Sequence, residues 1–161
     1  MIEIHPFGVF VQASTRHLIL GSFTGKEGYD WFYGTSLNQF WPILEAVYNI
    51  RLPDKKSKQD LFISLRMAIA DIIYQCERHR GTNLDSNLTN IVYNFEPIGK
   101  IFAAHQIETV YFSSRFVEIR FKRHFKYPAV NLVTLPSPSP RYAALSLRAK
   151  IDLYRRLLPK L

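Results

Sequence analysis

The chain has one cysteine, Cys76, among 161 residues. A lone thiol builds no intrachain disulfide, cysteine-based zinc site or cysteine-ligated iron–sulfur cluster, and it fits a reducing compartment. No apolar run approaches the ~20 residues that a membrane span requires. The opening MIEIHPFG lacks the layout of a signal peptide. A soluble, cytoplasmic protein with no membrane partner is therefore expected. The five histidines show no metal-ligand spacing, with His79, His105 and His124 isolated, so neither a metal nor a cofactor is expected. Internal repeats, long linkers and low-complexity segments are also missing. That leaves a single domain over 1–161, large enough for a real core and expected to be a monomer. Acidic residues are the last shortage: 13 Asp and Glu stand against 21 Lys and Arg, a net charge of +8. Such a balance favours a polyanionic partner, nucleic acid ahead of a membrane surface.

What is present is a succession of apolar runs separated by polar loops. HLILGS, 17–22, reads as a strand buried on both faces, with Gly21 and Gly25 framing the loop after it. A helix is expected over 38–49, where Phe40, Trp41, Leu44 and Val47–Tyr48 recur at helical spacing. RLPDKKSK, 51–58, reads as a charged turn and 58–66 as a second helix. MAIADIIYQC is ambiguous, with a strand expected near 70–74, and RGTNLDSNLTN, 80–90, reads as a polar loop. A helix over 94–105, capped by Asn94 and carrying Pro97 in its first turn, precedes a strand at 108–114. A basic helix over 115–125, a strand at 129–135 and a helix over 143–158 complete the chain. Strands alternating with helices imply an α/β domain, a three-layer α/β/α sandwich around a short, mainly parallel central sheet. Ligands of such sheets sit beyond the carboxyl ends of the strands. The loops GSFTG, GTNLDSN and PSPSP should therefore converge on one cleft, flanked by YGTSLNQFW.

Several residues of these loops carry two readings. Asn38 is a helix cap or an amide that orients water or donates to a ligand. Phe40 and Trp41 fall on the apolar face of their helix and read as core. Asp85 is a cap or turn residue, or a carboxylate that accepts an N–H. Arg120, Lys122, Arg123 and Lys126 form a solvated helix face or touch phosphate.

LILGSFTG, YGTSLNQFWPIL, RGTNLDSNL and VTLPSPSPRYA, in that order, resemble the uracil-DNA glycosylase superfamily, closest to its hypoxanthine-DNA glycosylase and mismatch-specific uracil glycosylase branches. The likeness spans about 17–158. It implies an enzyme that flips a deaminated base, hypoxanthine or uracil, out of DNA and hydrolyses its N-glycosidic bond without a cofactor, in single- or double-stranded substrate. By resemblance Asn38 supplies the catalytic amide, Tyr33 the stacking aromatic, and Phe23, Asp85 and Ser86 the rest of the base pocket. Gly25, Ser137 and Ser139 would meet the DNA backbone, while Arg141 and Tyr142 would fill the gap left by the flipped nucleotide. The chain departs from the family at Thr24, where a proline is usual, and at Phe23, where many members place a catalytic Asn or Asp. Ser137 stands where many have His or Asn, and Thr35–Ser36 replaces a His-Pro pair. The hypoxanthine branch also lacks the first-loop amide. A non-catalytic relative that binds nucleic acid or a nucleobase in the same cleft is the alternative.

Overall fold

The computed structural model describes residues 1–24, 30–79 and 85–161. Four parallel strands form the central sheet: β2 (His17–Gly21), β3 (Met67–Asp71), β6 (Thr109–Phe112) and β7 (Asn131–Thr134). Their order across the sheet is β3-β2-β6-β7. Side-chain alternation splits the core into two layers. Ile19, Met67, Ile69 and Tyr111 face one way, toward α1 (Phe40–Tyr48), α2 (Lys55–Ser64) and α5 (Leu147–Leu157). Leu18, Leu20, Ala68, Ala70, Val110 and Phe112 face the other, toward α3 (Phe95–Ala104) and α4 (Arg115–His124). The expected three-layer α/β/α arrangement is the one observed, and no helix among the described residues is long and apolar enough to cross a membrane.

The structure adds a second sheet that hydropathy did not reveal. β1 (Ile2–Ile4), β4 (Ile73–Arg78) and β5 (Leu88–Tyr93) pair antiparallel in the order β1-β4-β5. The ambiguous run MAIADIIYQC is thus two strands, β3 and β4, separated only by Ile72. The expected loop over 80–90 gives way to strand at Leu88, after a 3-10 turn at Asp85–Asn87. Turn-forming Asn and Ser hide a strand whose inward positions are few. α2 begins at Lys55 rather than at 58, because Asp54 and Ser57 form a capping box. α5 begins at Leu147, capped by Ser146.

Candidate functional site

Loops leaving the carboxyl ends of all four parallel strands meet in one open cleft of about 770 Å³. Its wall includes Ser22 after β2, Asp71 ending β3, Ser113 after β6 and Ser137 after β7. The chain leaves β2 toward β3 on one side and returns to β6 on the other. The cleft therefore opens at the sheet's switch point, where crossing connections diverge and leave space. Nine sequence-selected residues line it: Phe23, Tyr33, Asn38, Asp85, Ser86, Ser137, Ser139, Arg141 and Tyr142. Gly25, and Asn83 of the 80–90 loop, lie outside the described residues.

The wall carrying Tyr33 and Asn38 is set by aromatic packing. Trp41 stacks on Trp31 at 5.6 Å, and its indole N–H donates to the Phe32 carbonyl at 2.8 Å. The chain then turns through Tyr33 at φ 55, a left-handed conformation costing roughly 1–2 kcal/mol for a residue with a Cβ. That turn lays the Tyr33 ring on Phe40, centroids 4.0 Å apart. Phe40 and Trp41 are core, as their helical spacing implied. Burial, and after it the negative Asp71, push the Tyr33 hydroxyl well above its usual range. Ser113, close by, draws it part of the way back, but no described residue closes a hydrogen bond of normal geometry with the buried oxygen.

Asn38 ends a turn in which its N–H donates to Thr35 O at 3.1 Å. Its side-chain Oδ1 accepts the Phe40 N–H at 2.9 Å, while Gln39, at the formal cap position, makes no side-chain cap. Asn38 therefore does cap α1, and no described residue accepts from its Nδ2. Asn94 corrects the other expected cap: its Nδ2 donates to the Asp71 carbonyl at 3.1 Å, tying α3 to the cleft floor.

On the facing wall, Asp85 Oδ1 accepts the Ser22 hydroxyl at 2.8 Å. Burial raises this carboxyl above its ordinary range, and the Ser22 hydrogen bond draws it part of the way back. Among the described residues no backbone N–H donates to this carboxylate, so it caps no described helix. Arg78 lies beside it, over the Phe23 ring at 5.9 Å and paired through Nε with Glu3 at 2.8 Å. From α4, Phe116 reaches the rim with Arg120 over its ring at 4.4 Å. Arg120 is thus not part of a simple solvated face, since it also donates to Tyr93 Oη at 3.1 Å. Lys122, Arg123 and Lys126 are exposed, as expected of that face.

Sequence reasoning missed the floor. Asp71 is 3 % exposed. Its Oδ2 accepts from His5 Nε2 at 2.6 Å and from Thr24 Oγ1 at 2.7 Å. His5 Nδ1 lies 2.6 Å from the Phe7 carbonyl oxygen and 3.1 Å from the Phe7 backbone nitrogen. Burial alone would lower the His5 pKa, but the Asp71 hydrogen bond, its charge and the Phe7 carbonyl together raise it. The available signal was a lone carboxylate within an apolar run, a position that this sheet geometry aims at the ligand once β3 is seen to end there.

No family model matches the chain, and no curated protein does. Among solved structures it is similar to the solution NMR structure of a protein from Methanosarcina acetivorans provisionally assigned as a uracil DNA glycosylase. The TM-score is 0.71 at 21 % identity, covering 98 % of this chain and 99 % of that one. The chain shares that protein's fold.

Proposed function

We propose that this protein is a DNA glycosylase of the uracil-DNA glycosylase superfamily, nearest the hypoxanthine branch, that excises hypoxanthine or uracil in base excision repair. One observation carries the reading: the four sequence segments that resemble that superfamily come together in a single cleft, on a fold shared with the Methanosarcina protein. A flipped base lies against Tyr33, whose far face is backed by Phe40; such stacking contributes about 1–3 kcal/mol per base. Phe23 closes the apolar side, and Asp85 and Ser86 read the base edge, the carboxylate accepting the N1–H of hypoxanthine. The glycosidic electron pair leaves with the base while water adds at C1′. Asn38, through its unclaimed Nδ2 or the remaining lone pair of Oδ1, stabilises the departing base or orients that water. Ser137 and Ser139 contact backbone phosphate, and Arg141 and Tyr142 enter the gap in the duplex.

The test is incubation with oligonucleotides carrying hypoxanthine, uracil or xanthine, followed by alkaline cleavage of abasic sites. Strand breaks at one of these bases are expected. A protein that binds the oligonucleotides and breaks none is instead the non-catalytic relative, a reading favoured by Phe23, which can neither donate to nor polarise water. DNA affinity is expected to fall steeply with salt through counterion release.

A further inference from the structure

Lys150 is 1 % exposed, yet it carries a charge-bearing group into the wall behind the cleft. It sits in α5 on the stripe that also buries Tyr154. Its Nζ donates to Gln39 Oε1 at 2.8 Å and to the Ser139 carbonyl at 3.0 Å. It also lies over the Tyr142 ring, 5.4 Å from the centroid. All three partners are uncharged, and no described carboxylate pairs with this ammonium. Burial lowers its pKa accordingly. Burying an ammonium without a counter-charge is costly, and an apolar side chain would fill the same space at no such cost.

The loop above Lys150 shows what the charge faces. Ser137 Oγ accepts the Ser139 N–H and Ser139 Oγ accepts the Arg141 N–H, each at 3.2 Å. With a lone pair of each hydroxyl held by the backbone, both O–H groups are left to donate elsewhere. Arg141 is exposed beside them, and the Gln39 N–H donates to Pro138 O at 2.8 Å, fastening the loop to the Asn38 wall. Two hydroxyl donors and a guanidinium above a buried, uncompensated ammonium make a seat for one tetrahedral anion.

We propose that Lys150 is a positioning residue whose buried charge and two hydrogen bonds hold residues 137–142 as a seat for one backbone phosphate of the bound DNA strand. Its Nζ does not reach the cleft surface, so it acts through the loop. The proposal rests on the DNA-binding reading above but not on catalysis. It is therefore tested with duplex DNA containing a tetrahydrofuran abasic-site analogue, which offers no base to excise.

Affinity is measured across a salt series for wild type, Lys150→Met, Lys150→Gln and the exposed control Lys56→Met. Lys150→Gln can keep one of the two hydrogen bonds without the charge. Both Lys150 variants are expected to bind roughly tenfold more weakly at low salt. Their plots of log affinity against log salt should be shallower by about 0.9, one phosphate's worth, while Lys56→Met keeps the wild-type slope. A folded Lys150→Gln with the wild-type slope overturns the proposal and leaves Lys150 a structural strut. If neither variant folds, the Lys150 Nζ resonance of the wild-type protein decides. Its pKa should rise on binding the same duplex, because an anion above it favours the ammonium, and an unchanged value overturns the proposal. Failure to excise any base defeats the glycosylase reading alone and leaves the seat standing.

Discussion

Replacing Asn38 separates two jobs that one side chain performs. Its Oδ1 is committed to the Phe40 N–H at 2.9 Å, and its Nδ2 has no described acceptor. Asn38→Ala removes both. Loss of the cap costs about 0.5–2 kcal/mol of stability. Loss of one preorganised polar group at the reacting atoms costs about 2.7–4 kcal/mol of transition-state stabilisation, a ~100–1000-fold slower excision. Asn38→Asp divides these effects. The carboxylate still accepts the Phe40 N–H, so the fold should melt within a few tenths of a kcal/mol of wild type. Both amide hydrogens are gone, however, and a negative charge joins a cleft that already holds Asp71 and Asp85. Excision by Asn38→Asp is expected to change in rate without loss of fold. The assay is abasic-site formation under single-turnover conditions, run beside thermal melts and binding to the abasic-analogue duplex, which both variants should largely retain. If the wild type excises a deaminated base and Asn38→Ala does so equally fast, Asn38 is a cap and nothing more.

The parts of this molecule legible in the sequence are those whose pattern is local. The buried runs HLILG and TVYF could only be inner strands, and the spacing of Phe40, Trp41 and Leu44 fixed a helix with its aromatics inward. The convergence of the loops followed from the rule for parallel sheets, which is topological and needs no side-chain detail. What escaped was set by partners far away in the chain. β5 has outward positions such as Asn90 and reads as loop until β4 is laid beside it. Asp71 sits in the middle of the ambiguous run, inside the strand expected near 70–74, and its partners, His5 and Thr24, lie 66 and 47 residues away. Lys150 sits on an apolar stripe, a usable signal, but its acceptors Gln39 and Ser139 come from two other loops. Asn94 drew the cap assignment that Asn usually deserves at a helix start, but its backbone N–H is fastened to the Ile72 carbonyl, which brings its amide to the Asp71 carbonyl instead.

Two further perturbations test the cleft floor. The His5–Asp71 pair raises the His5 pKa above its ordinary 6.5, so its contribution to stability is complete below about that pH and is lost as pH rises through the raised folded value. Denaturant midpoints of wild type should therefore fall on the alkaline side more than those of His5→Gln, and parallel profiles would show that the pair contributes no pH-dependent stability. Gly21, at the end of β2, is the more stringent case. A Cβ built there would collide with Asp71 Oδ1 and lie 2.7 Å from Tyr33 Oη. Neither atom belongs to a flexible surface chain: Asp71 is pinned by His5 and Thr24, and the Tyr33 ring is pinned by Phe40. The methyl of Gly21→Ala must push one of them toward the cleft, an overpacking cost of about 1–3 kcal/mol. Melting should register that loss. Excision should fall further than the melt explains, since a displaced Tyr33 ring no longer presents its face to the base. A variant that melts and excises like wild type would mean that the floor yields freely and that Gly21 is not needed to close it.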